Sequence, residues 1–207
     1  LLYKWSYILL IIYLYINLKN LNNQFLFIKY NILMGQYYYP IILDENGKIV
    51  VWMDAHEYGN GLKLTEHSFI ENNFVSTFEF GLSPEGIYHK CRVVWAGDYA
   101  DEELNQSENL HHLCNEYNCI HPKVKETNNY KFIVNHTKKQ FVNKSKVPEK
   151  DGYRLHPLPI LTAEGNGRGG GDYHSDSPLI GSWARDIISV EENEPVDFEE
   201  VIFDLIE

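Results

Sequence analysis

Residues 37–53, YYYPIILDENGKIVVWM, decide the fold. Two runs rich in β-branched and aromatic side chains, 37–43 and 48–53, flank Asp44-Glu45-Asn46-Gly47. Asn-Gly between two such runs is the strongest short-range hairpin signal, because both residues tolerate the backbone angles of a tight turn. A second pair, 130–134 and 140–143, brackets Asn135-His136-Thr137-Lys138-Lys139 in the same way. Between the pairs, Ile70, Phe74, Val75, Phe78 and Leu82 recur at helical spacing and share one face. Ser68-x-x-Glu71 predicts a capping box at the start of that helix, and Gly81 predicts its stop. A second helix is expected over 107–117, with Leu110, Leu113, Cys114 and Tyr117 on one stripe. Residues 91–95 and 187–190 read as further strands. His156-Pro157-Leu158-Pro159 is expected to be extended, since each proline biases its predecessor away from the helical region. The expectation is therefore α+β: an antiparallel, hairpin-built sheet or sheets with about two main helices.

Composition narrows the function classes. The chain has 207 residues, with 18 Lys+Arg against 29 Asp+Glu and a formal charge of −11. So few basic residues, and no basic run, argue against a protein that tracks nucleic-acid phosphates. Three cysteines cannot form a disulfide framework, which points to a reducing compartment. With 44% apolar and 14% aromatic residues the chain can bury a core and is not of disordered type.

Residues 1–33 differ from the rest. All but Trp5, Ser6 and Gln24 are Leu, Ile, Phe, Tyr, Asn or Lys, the residues that codons of A and T alone can encode. The expectation is an AT-rich upstream region read in frame, with the protein proper beginning at Met34. The apolar run 5–16 is short against the roughly 20 residues of a spanning helix, and the segment has no alanine for a leader-type cleavage site. Residues 34–207 are then one compact domain, with 34–125 and 126–207 as candidate halves. Removing Lys4, Lys19 and Lys29 leaves 15 basic against 29 acidic residues, a charge of −14. Each half carries a hairpin, a Gly-Asn-Gly (59–61, 165–167) and a Trp-Ala-x-Asp (95–98, 183–186), a weak internal repeat.

MGQYYYPIIL, YGNGLKLTEH, RVVWAGDYADEE and LTAEGNGRGGGDYHSD with GSWARDIISVE resemble a group of small proteins from bacteriophages and low-GC bacteria. The resemblance covers 34–207 and starts at the same methionine. It implies a phage or mobile-element origin, in the cytoplasm of a bacterial host, and transfers no catalytic residue.

The chemistry-bearing candidates fall in three places. The segment Gly165, Asn166, Gly167, Arg168, Gly169, Gly170 and Gly171 lets the backbone approach a ligand and offer N–H groups to an anion. Arg168 adds a bidentate contact, and Glu164, Asp172 and His174 supply acid–base groups. It matches neither phosphate-loop fingerprint. The second place is the loop holding His56, Gly59, Asn60, Gly61 and His67; a duplication would bring Asp54, His56, Glu66 and His67 toward Arg168, Asp172 and His174. The third is a His/Cys cluster, His111, His112, Cys114, Cys119 and His121, of which His112, Cys114, Cys119 and His121 are the candidate zinc ligands. The acidic run Asp98, Asp101, Glu102, Glu103 reads as a solvated stretch, Trp95 and Trp183 as core, and Cys91 as a buried, inert thiol. No cofactor is required by these patterns. The reading is an accessory protein that binds a protein or a small anionic ligand through 164–174, with neither nucleic acid nor membrane as partner. The alternative is a small hydrolase or transferase using Arg168, Asp172 and His174, and a minor alternative is zinc binding.

Overall fold

The computed structural model describes residues 35–123, 130–165 and 177–206. All elements below lie in the unit Gln36–Glu207. Strands β1 (Tyr38–Leu43) and β2 (Ile49–Trp52) form the expected hairpin, with Ile41 opposite Trp52 and Ile42 opposite Val51. Asp44 closes its turn: Oδ1 accepts the N–H of Asn46 and of Lys48, each at 2.8 Å. Gly47 supplies the left-handed residue, φ 79°, a conformation that costs a residue without Cβ nothing.

A short helix α1 (Leu64–His67) precedes α2 (Asn73–Leu82). The stripe Phe74, Val75, Phe78 and Leu82 is buried as its spacing requires. Its start is not the expected one. Glu71 adopts φ 76°, which no helix interior permits, so the chain cannot run helically from Ser68. Asn72 is the cap instead, its Oδ1 accepting Phe74 N–H at 2.9 Å and Val75 N–H at 3.2 Å. The helix passes through Gly81 and ends at Ser83, whose hydroxyl donates to the Phe80 carbonyl at 2.8 Å.

Strand β3 (Cys91–Gly97) follows, then α3 (Leu110–Leu113), which continues directly into a 3-10 turn, Cys114–Glu116. Together these make the second helical segment. The second hairpin is β4 (Phe132–Asn135) with β5 (Gln140–Asn143). Residues His156-Pro157-Leu158-Pro159 are not a continuous extended run: α4 (Pro157–Leu161) begins there. His156 alone stays extended, as the cap, and its Nδ1 accepts Leu158 N–H at 3.2 Å. Both prolines sit in the first turn, where an N–H has no partner within the helix. Strands β6 (Ala163–Glu164), β7 (Ile187–Glu191) and β8 (Glu199–Glu200) complete the set.

The strands form one mixed, largely antiparallel sheet of eight, in the order β2-β1-β3-β7-β4-β5-β8, with β6 on β3. The β3–β6 and β5–β8 pairs are parallel. Outward from the β3–β7 contact the same arrangement repeats, β3-β1-β2 on one side and β7-β4-β5 on the other. The Trp-Ala-x-Asp motifs do not share a place in it. Trp95 lies inside β3, whereas residues 183–186 precede β7. Trp95 and Trp183 are nonetheless both buried, as expected.

Both faces of the sheet are covered near its centre. Val93, Trp95, Ile133 and Ile188 pack with α2 and α4, while Ile41, Val94 and Ala96 pack with Leu110 and Cys114. Burying each large apolar side chain of this kind contributes roughly 1.5–3 kcal/mol. Among the described residues no helix is long and apolar enough to cross a membrane.

Candidate functional site

Strands β3 and β6 run parallel and end side by side, with Trp95 opposite Ala163 and Ala96 opposite Glu164. The start of β1 lies against the same end, Tyr38 facing Gly97. Three chain segments thus converge where the glycine-rich stretch begins. Gln36 is the wedge between them. Its side chain is buried, and its Oε1 accepts the Tyr38 hydroxyl at 2.8 Å. A Cβ on Gly165 would sit 2.4 Å from Gln36 Nε2, and one on Gly97 would sit 2.5 Å from the same atom. At both positions a Cβ would force the Gln36 amide to shift. Among the described residues, Gln36 Nε2 is itself a buried donor without a hydrogen-bond partner.

Outside this wedge lies a clasp of charges. Arg185, held at φ 64°, donates from Nε to Glu164 Oε2 at 2.7 Å and from Nη1 to Glu103 Oε2 at 3.0 Å. Its Nη2 reaches the second oxygen of both carboxylates. The hydrogen bonds it donates to the two carboxylates, Glu164 first and then Glu103, raise the guanidinium pKa further above its already high value. Arg185 also donates its backbone N–H to Val93 at 2.7 Å, which fixes the clasp to β3. Glu103, Glu164 and Arg185 come from three separate stretches of chain, so the base of the glycine-rich segment is braced on all sides. Neither Arg185 nor Gln36 figured among the sequence candidates.

The remaining candidates are placed as follows. Residues Asn166, Gly167, Arg168, Gly169, Gly170, Gly171, Asp172 and His174 lie outside the described residues. Gly59 ends a 3-10 turn at φ 72°. Asn60 accepts at Oδ1 from Asn72 Nδ2 at 2.7 Å. His67 is fully buried and both its ring nitrogens are engaged. Trp95 Nε1–H donates to Nε2 at 3.0 Å, so Nδ1 carries the proton and donates to the Gly61 carbonyl at 3.0 Å. His67 is a core histidine that ties the first glycine loop to β3. Glu66 accepts Lys63 N–H at 3.0 Å and packs over Gly61.

Asp54 and His56 belong elsewhere. Asp54 accepts His56 N–H at 2.9 Å, and the exposed His56 ring sits 3.4 Å from the same carboxylate. Burial, then the Asp54 charge, pushes the Tyr39 hydroxyl up to about 12, which puts Asp54 beside the α3 face. His67 packs edge-on to Phe74 in the α2 face. Asp54 and His56 are thus neighbours, and His67 is spoken for by Trp95 and Gly61; the Arg168, Asp172 and His174 with which a duplication would join them lie outside the described residues. Asp98, at the end of β3, accepts Tyr37 N–H at 3.1 Å, and burial raises its carboxyl above the usual range.

The His/Cys cluster is dispersed. His111 is buried, its Nδ1 lies 3.2 Å from the Ala96 carbonyl, and its ring stacks on Tyr39 at 4.4 Å. His112 and His121 are exposed on the surface. Cys114 donates its thiol to the His111 carbonyl at 3.0 Å, and burial pushes that thiol up to about 12. Among the described residues no three His, Cys, Asp or Glu side chains are grouped to hold a metal ion. Cys91 opens β3 half-buried rather than fully buried, and burial raises its thiol as well.

At the described end of the sheet Glu103 and Glu164 are paired with Arg185, and the buried His67 has a structural task. Comparison with known protein families, curated proteins and solved structures finds no match.

Proposed function

We propose that the protein is a binding module, whose glycine-rich segment 165–171, with Arg168, contacts a protein partner. The clasp of Glu103, Arg185 and Glu164 carries this reading. It braces the base of the segment as a scaffold braces a binding loop, and it engages Glu164, one of the three candidate acid–base groups. Both carboxylate oxygens of Glu164 are taken up by the Arg185 guanidinium. The flanking run Asp98, Asp101, Glu102 and Glu103 adds negative charge beside Arg185, so basic groups of the partner suit this flank while Arg168 meets an acidic one.

The test is capture of partners from lysate by the full chain, with Arg168→Ala and Arg185→Met compared against the unaltered protein. A partner that is retained by the protein, lost with Arg168→Ala and released by rising salt supports the reading. Equal capture by Arg168→Ala removes 165–171 from the function. Turnover of ester or phosphate substrates that Asp172→Asn abolishes would favour the hydrolase or transferase alternative.

A further inference from the structure

A cavity of about 500 Å³ opens on a different part of the surface, between residues 65–69 and 148–155, with Ile206 at its edge. Its walls are fixed by backbone pairing. Phe69 bridges Leu155 in antiparallel fashion, Ile70 N–H donates to the Arg154 carbonyl at 2.9 Å, and His156 N–H donates to the Ser68 carbonyl at 3.0 Å. The volume is that of a pocket for a drug-sized ligand, roughly 300–1,000 Å³.

The lining is apolar on one side and polar on the other. Phe69 and Tyr153 stand edge-to-face with ring centroids 6.4 Å apart, and Leu155 is buried behind them. Ser68 is 1% exposed, and its Oγ has no hydrogen-bond partner among the described residues. A buried hydroxyl left unpaired is costly, and a ligand atom that pairs with it recovers that cost. Arg154 is half-buried and makes one long contact, Nη2 to the Lys144 carbonyl at 3.4 Å, with no ion pair among the described residues. Its remaining donors are those of a planar fork suited to a carboxylate or sulfonate. Lys150 and Asp151 sit at the exposed rim, so the charged lining of Lys150, Arg154 and Asp151 sums to +1.

We propose that this cavity binds a small aromatic monoanion, its charged group held by Arg154 and by Ser68 once the serine side chain rotates toward the cavity, and its ring laid against Phe69 and Tyr153. None of these residues belongs to the glycine-rich end of the sheet, so the proposal stands or falls independently of the partner-binding reading.

The probe is 1-anilinonaphthalene-8-sulfonate, titrated into the folded full chain by fluorescence, beside the uncharged N-phenyl-1-naphthylamine. One saturable equivalent of the anionic dye is expected, with the neutral dye about 10-fold weaker, as the loss of one charge-assisted contact implies. Arg154→Gln should weaken the anionic dye about 10-fold and leave the neutral one unchanged. Ser68→Ala removes an unpaired hydroxyl and so spares the fold, yet it should weaken the anion several-fold. Tyr153→Ala, an exposed position, should weaken both dyes. Equal affinity for the two dyes, several equivalents bound, no saturable binding, or binding indifferent to Arg154→Gln and Ser68→Ala would each overturn the proposal.

Discussion

Lys144→Met is expected to destabilise the protein by about 3–5 kcal/mol, the usual cost of removing one partner from a buried ion pair. Glu79 lies on α2 and is 3% exposed; Lys144, from the segment after β5, is 4% exposed. The ammonium contacts both carboxylate oxygens at 2.8 Å. His156 completes the group, with Nε2 3.2 Å from Glu79 Oε1 but not aligned as a full hydrogen bond. Burial penalises the Glu79 charge, but His156 and Lys144 overcome it and hold the carboxyl below its ordinary range. Without Lys144, a buried carboxylate faces a neutral imidazole. For a domain of this size each kcal/mol moves Tm by about 2–4 °C, so a fall of about 6–20 °C is expected.

The assay is urea unfolding of Glu79→Gln, Lys144→Met and the double variant. The double variant should cost several kcal/mol less than the two single costs added, because it leaves no unpaired charge. Additivity within about 0.5 kcal/mol would refute the coupling, as would a Lys144→Met cost below about 1 kcal/mol. The pH dependence follows from the same group. Glu79, held low in the folded state, contributes stability above the ordinary carboxylate range that is lost as pH falls through it. Burial holds His156 below its ordinary range, with Glu79 opposing. The unfolded chain therefore takes up that proton first, and acid destabilises from the normal histidine range downward.

Burial lowers His111 from 6.5 to about 4, so its share of stability, about 3 kcal/mol, should disappear between those pH values, and a His111→Phe chain should show a flatter stability profile there. Gly165→Ala drives a Cβ into the Gln36 amide, which the Tyr38 hydroxyl pins in place, and should cost about 1–3 kcal/mol in urea unfolding. Adding Gln36→Ala should recover part of that loss; no recovery would mean that Gln36 is not the obstacle. Asn72→Ala removes the acceptor that caps α2 and should cost about 1–2 kcal/mol, whereas Asn72→Asp keeps the cap and should cost less.

The two hairpins, the buried stripe of α2 and the strand at 91–95 are legible because their signals are local. Alternation, turn residues and helical spacing lie within a few neighbours of the residues they organise. The errors arose where two local rules compete. Ser68-x-x-Glu71 and Asn72 are both good caps on paper, and the left-handed Glu71 awards the helix to Asn72. Proline at 157 and 159 reads as extended from its effect on the preceding residue, yet both residues also suit a helical first turn.

The sequence by itself determined an α+β chain, the places of its hairpins and the burial of Trp95 and Trp183, since period and residue type settle which face goes inward. It also located a glycine-rich segment as the candidate contact. Only the tertiary structure decided what those parts stand on. The pairing of β6 with β3, the clasp of Glu103 and Glu164 on Arg185, the Glu79–Lys144–His156 group and the cavity beside Arg154 join residues separated by tens of positions. Taken singly, each of these charged side chains has the pattern of a solvated surface residue. Burial makes it a partner, and burial is a property of the packed chain rather than of any window of it.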